Sequence, residues 1–122
     1  MIFLDVNIVL EILFKRESAN FCIEVCTEQE SLFISSTSLY TIYYYAEKAK
    51  IDLDIVKNML ADINILPVSK SEYDFALEIF HTEDMEDALQ VATALNFNIK
   101  LIFTLDKAMI KKYSGIISFV TL

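Results

Sequence analysis

The sequence predicts a three-layer α/β/α domain built on a mainly parallel sheet of four to five strands. Three observations lead there. Short apolar runs alternate with helical patterns along the chain. The chain holds one Gly and one Pro, so it has few places to turn and must be mostly helix with short connections. Its 122 residues fit one core and not two, so a single domain spans 1–122.

Four apolar runs predict buried strands: Ile2 to Leu4, Leu32 to Ile34, Ile99 to Phe103 and Ile116 to Val120. A weaker fifth covers Ile65 to Val68, around the lone Pro67. Helical patterns fill the intervals: Asn7 to Phe14, Ser18 to Thr27, Ser38 to Lys50, Leu53 to Asn64, Lys70 to Phe80 and Asp84 to Asn96. In the last of these Ala88, Val91, Ala92 and Leu95 share one face, the spacing of a helix packed on a sheet. Strands alternating with helices imply βαβ units with right-handed crossovers.

Hydrophobic residues make up 55% of the chain, rich for a small soluble domain: the excess either fills a large core or in part covers a partner. No apolar run is long and charge-free enough for a membrane span. The opening MIFLDVNIVLEILFK carries Asp5 and Glu11 and lacks a basic start, which argues against a signal peptide and for a cytoplasmic protein. Cys22 and Cys26 lie four apart, but a zinc site needs two further Cys or His ligands and His81 is the single histidine. They read as buried thiols in a reducing compartment. The net charge of −8 weighs against a protein that lives on phosphate contacts, while leaving room for a metal site, a basic partner or local basic clusters.

The acids carry the chemistry. In a parallel α/β sheet, ligands gather outside the carboxyl ends of the strands, where strand order reverses. Asp5 follows the first strand directly, and Asp106 follows the strand ending at Phe103, with Thr104 between. Asp84 and Asp87 occupy the first turn of a helix and, three apart, share a face. Three segments thus deliver carboxylates to one rim. Carboxylates so placed repel and raise one another's pKa unless a cation joins them, and hard oxygen ligands suit Mg²⁺ or Mn²⁺. The plainer reading is that Asp84 and Asp87 complement a helix N-terminus and Asp106 caps the next helix. Asp5 resists that reading, because an acid directly after a buried strand is costly without a partner.

These residues resemble the PIN-domain family, which includes the ribonuclease toxins of toxin–antitoxin pairs. Leu4-Asp5-Val6-Asn7-Ile8-Val9-Leu10 is similar to its opening strand, Asp-x-Asn and apolar helix. The run from Asp84 through Asp87-Ala88-Leu89 to Leu95 is similar to its Asp-containing helix, and Ile102-Phe103-Thr104-Leu105-Asp106 to its late strand ending in Thr-x-Asp. The three stand in the family's order over nearly the whole chain. One position departs. Aligning Ile34-Ser35-Ser36-Thr37-Ser38-Leu39 puts Thr41 where the family has a glutamate, and Glu47 is six residues on, roughly 240° round the helix.

The resemblance implies metal-assisted hydrolysis of RNA. Asp5, Asp84, Asp87 and Asp106 are the implied catalytic set, with Asp5, Asp87 and Asp106 binding Mg²⁺ or Mn²⁺ directly or through water. Asn7, Thr41 and Thr104 then stand behind them: Asn7 holds Asp5 or simply caps the first helix, Thr41 bonds a metal-bound water, and Thr104 positions a carboxylate or water. Lys107, Lys111 and Lys112 either meet phosphates or form a solvated helix face. An antitoxin protein and a homodimer are the implied protein partners. Tyr40, Tyr43, Tyr44 and Tyr45 spread around one helix, so they divide between core and a possible dimer seam. The competing reading is a PIN-fold binding module with weakened catalysis that holds a protein or RNA; Thr41 favours it and the four acids oppose it. A phosphotransfer domain of receiver or haloacid-dehalogenase type shares the acid after strand one. The latter wants a second Asp where this chain has Asn7.

Overall fold

A computed structural model of the chain describes residues 1–80 and 83–120. His81 lies outside them. Among the described residues five strands form one sheet: β1 (Ile2–Leu4), β2 (Leu32–Ser35), β3 (Ile63–Leu66), β4 (Leu101–Phe103) and β5 (Ser118–Phe119). Seven helices among these residues connect and cover them: α1 (Val6–Leu13), α2 (Ala19–Thr27), α3 (Ser36–Lys48), α4 (Leu53–Leu60), α5 (Lys70–Ile79), α6 (Met85–Asn96) and α7 (Lys107–Tyr113). Every strand pair is parallel, in the order β3-β2-β1-β4-β5.

The central strand shows why the sheet is buried on both faces. Ile2 and Leu4 enter one core and Phe3 the other, the alternation of a strand with side chains on both sides. The Ile2–Leu4 core packs against α1 to α4 through Ile8, Val9, Cys22, Ile42, Ala46, Val56 and Leu60. The Phe3 core packs against α5, α6 and α7 through Ala76, Ala88, Val91, Ala92, Met109 and Tyr113. A three-layer sandwich follows. Helices of small residues such as Ala88, Ala92 and Ala94 let α6 lie close to the sheet.

Several expected boundaries shift, among them the strand expected from Ile99, which begins at Leu101. The predicted helix from Leu53 to Asn64 ends at Leu60, and the fifth strand begins at Ile63 instead of Ile65. Tertiary pairing outweighs the helical pattern here, since Ile63 and Asn64 register against Leu32 and Phe33. Asn64 also donates its side-chain amide to the Leu32 carbonyl at 3.1 Å. The last strand contracts to Ser118–Phe119, which register against Leu101 and Ile102 of β4. No helix among the described residues is long and apolar enough to cross a membrane.

The chain moves from β1 outward to β2 and β3, then crosses to β4 and β5 on the other side. The strand order therefore reverses between β1 and β4, which opens a crevice beyond their carboxyl ends. Asp5 and Thr104 stand at those two ends.

Candidate metal centre

Asp5 N-caps α1: its Oδ1 accepts from the Val6 backbone N–H at 2.8 Å. Its Oδ2 accepts the Thr104 hydroxyl proton at 2.7 Å. Both oxygens are engaged and the residue is only 4% exposed. Burial pushes its carboxyl up to about 6 against the lowering effect of those two hydrogen bonds, and the nearby charges of Glu86 and Asp106 push the same way.

Thr104 is the joint of this corner. Besides donating to Asp5, its oxygen accepts from the Asp106 backbone N–H at 3.0 Å and from Asn7 Nδ2 at 3.3 Å. Asn7 also receives the Leu105 backbone N–H on Oδ1 at 3.4 Å. The helix-capping alternative for Asn7 is thereby overturned, since Asp5 occupies the cap and Asn7 faces the loop after β4. Asn7 reaches Asp5 through Thr104 and not by direct contact.

Asp106 N-caps α7, its Oδ1 accepting from Ala108 and Met109 N–H groups at 2.9 and 3.2 Å. Asp84 stands at the N-cap of α6 but makes no side-chain capping bond, and its backbone is left-handed with φ 67°. Asp tolerates that region better than most residues, at some local strain. Asp87, in the first turn of α6, is buried, and its Oδ2 has no hydrogen-bond partner among the described residues.

One carboxylate oxygen each from Asp84, Asp87 and Asp106 lies within 4.8 Å of the other two. Two trans oxygens around Mg²⁺ span about 4 Å, so small side-chain rotations suffice to close on such an ion. The orphaned Asp87 oxygen fits the same group: a buried acceptor with no donor is what a cation or its water would satisfy. Asp5 borders this trio without being part of it. Burial and then the charges of Asp84, Asp5, Asp106 and Glu86 push the Asp87 carboxyl up to about 7. That electrostatic stress falls when a divalent cation binds.

Thr41 lies on α3, half-buried, and its hydroxyl donates to the Thr37 carbonyl of its own helix at 3.3 Å. Lys107 and Lys111 are exposed, and Lys112 reaches the Glu83 carbonyl at 3.5 Å. Two neighbours escaped the sequence reading. Glu86 adds its charge to both Asp5 and Asp87, and burial followed by Asp84 raises its own carboxyl. Its place directly before Asp87 was the available signal. Gln90 is buried and donates from Nε2 to Ser38 Oγ on α3 at 2.8 Å.

A parallel sheet with acidic side chains gathered at its switch point defines the class: a three-layer α/β/α domain with a carboxylate cluster beyond the strand ends. The model of the PIN domain matches residues 2–115, and the chain belongs to that family. Among solved structures it is similar to a toxin–antitoxin complex from Klebsiella pneumoniae, with a TM-score of 0.80, 20% identity, and coverage of 99% of this chain and 97% of that one. VapC20 from Mycobacterium tuberculosis, described as a sarcin–ricin loop cleaving toxin, matches at TM-score 0.78 and 12% identity over 100% of both chains. VapBC2 from Rickettsia felis, bound to a DNA fragment from its promoter, matches at TM-score 0.73 and 20% identity, over 100% of this chain and 99% of that one. No curated protein sequence matches the chain. Identities this low speak for the fold.

Proposed function

We propose that the chain is a Mg²⁺- or Mn²⁺-dependent ribonuclease of the toxin kind, working in the cytoplasm and held in check by an antitoxin protein. The observation that carries this is the meeting of Asp84, Asp87 and Asp106 within 4.8 Å, from the start of α6 and the loop after β4, beside a buried Asp5. The toxin–antitoxin structures that share the fold support the biological setting.

A bound divalent cation supplies a nucleophilic hydroxide at neutral pH and offsets charge on the phosphate. The chain's own residues do the rest. Asp84, Asp87 and Asp106 hold the cation, and Asp5 adds negative charge at the site's floor. Thr104 fixes Asp5 through its donated proton, and Asn7 fixes Thr104. Lys107, at the start of α7, and Lys111, in its last turn, are exposed and available to meet the RNA backbone.

A homodimer belongs to this reading. Tyr40, Tyr44 and Tyr45 are exposed on α3, with Tyr40 and Tyr44 stacked at 6.2 Å between ring centroids. Tyr43 turns into the core instead. Light scattering should give twice the chain mass for the wild type and a shift toward monomer for Tyr44→Asp; an unchanged dimer would place the seam elsewhere.

The binding-module reading keeps one observation in its favour: Thr41 brings no charge and spends its proton on Thr37. The deciding experiment is cleavage of a structured RNA panel with Mn²⁺ or with chelator, using wild type and Asp106→Asn. Metal-dependent cleavage lost in the variant supports the nuclease. Metal binding without cleavage of any RNA favours the module.

A further inference from the structure

Gln90 lies three residues after Asp87, hence on the same face of α6 one turn further on. It is 1% exposed, an unusual burial for an amide. Its Nε2 end is held by Ser38 Oγ at 2.8 Å, and Ser38 is itself held by Ser35, whose hydroxyl donates to it at 3.2 Å. Pinned at the nitrogen, the amide turns its oxygen away from Ser38. That Oε1 is buried with no hydrogen-bond partner among the described residues, like the Oδ2 of Asp87 one turn before it. Two buried acceptors on adjacent turns of one helix face, neither with a donor among the described residues, leave acceptor capacity that a cation's hydration water can use.

We propose that Gln90 serves the metal centre as a neutral oxygen contact to the cation's hydration shell, on the side facing α3. The inference rests on the metal-centre reading above and adds to it a residue from α6 that bridges to α3. A strut that merely ties α6 to α3 needs the Nε2–Ser38 bond but leaves Oε1 stranded. A metal contact uses both ends of the amide.

The test is calorimetric Mn²⁺ titration of the full chain, paired with thermal unfolding in chelator, for wild type, Gln90→Met, Gln90→Glu and Asp87→Asn. Gln90→Met keeps the side chain's length and removes its oxygen. It should weaken Mn²⁺ binding on the order of tenfold, the usual scale for losing a contact around a metal's direct ligands. Its metal-free unfolding temperature should hold or rise. Gln90→Glu should bind Mn²⁺ more tightly than wild type. Wild-type binding lost in Asp87→Asn but unchanged in both Gln90 variants overturns this proposal and leaves the metal centre standing. A wild type that binds no Mn²⁺ overturns both. Should Gln90→Met fail to fold, Gln90→Glu decides: tighter binding supports the contact and equal binding refutes it.

Discussion

Thr104 donates its hydroxyl proton to Asp5 at 2.7 Å, a side-chain bond that joins the carboxyl end of β4 to that of β1 beside the backbone bond from Asp5 N–H to the Phe103 carbonyl at 2.9 Å. Both residues are buried, so the bond has little competition from water. Thr104→Val keeps the shape and strands the Asp5 oxygen. It should destabilise the protein by about 1–3 kcal/mol, read as a shift in urea unfolding. The Asp5 carboxyl should also titrate above its wild-type value of about 6, because the hydrogen bond that lowered it is gone. A carboxyl NMR titration that leaves Asp5 unmoved would remove Thr104 from this role.

The buried acids set a pH dependence for the metal-free protein. Asp5 and Asp87 are raised from 3.8 to about 6 and about 7, so the folded chain binds more protons than the unfolded one in that interval. Stability should therefore fall as pH rises from about 4 to about 7 and level off above. Glu72 acts oppositely. Hydrogen bonds from Ser69, Asn96 and Ser71 lower its carboxyl from 4.5 to about 2, so its contribution is present above 4.5 and lost as pH falls toward 2. The two trends predict a stability maximum at about pH 4 to 5 in chelator. Urea midpoints measured across pH 3 to 8 check it, and a midpoint that climbs from pH 5 to pH 8 without metal would contradict it.

Thr41→Glu tests the departure on α3. Its hydroxyl now serves only its own helix, through the Thr37 carbonyl. A glutamate there should add a carboxylate to the centre and tighten Mn²⁺ binding by about tenfold, visible by calorimetry. Unchanged affinity would mean that position 41 does not face the acids.

Much of this was readable from residues in order. Ile2 to Leu4 is apolar throughout because a central parallel strand is covered on both faces, and the acid after it follows from ligand placement at strand ends. Asp87 stood out because Ala88, Val91 and Ala92 fixed which face of its helix was the core. Four things were hidden. Ile63 and Asn64 continue a helical pattern, and only pairing with Leu32 and Phe33 makes them strand. Asn7 looked like a cap because capping by Asp5 depends on where the strand stops. Gln90 meets Ser38 across 52 positions of sequence, a contact no local pattern announces. Asp84, joined with Asp87 and Asp106 where Asp5 was expected, depends on a left-handed backbone turn that its sequence neighbours do not signal.

The central claim is that Asp84, Asp87 and Asp106 form one centre for a divalent cation. The most direct measurement is Mn²⁺ titration by calorimetry at pH 7.5, comparing wild type with Asp87→Asn. The account predicts one saturable event in the wild type, with a raised unfolding temperature, and at least a tenfold loss of affinity in the variant. Equal binding by the two proteins, or none by either, would contradict it.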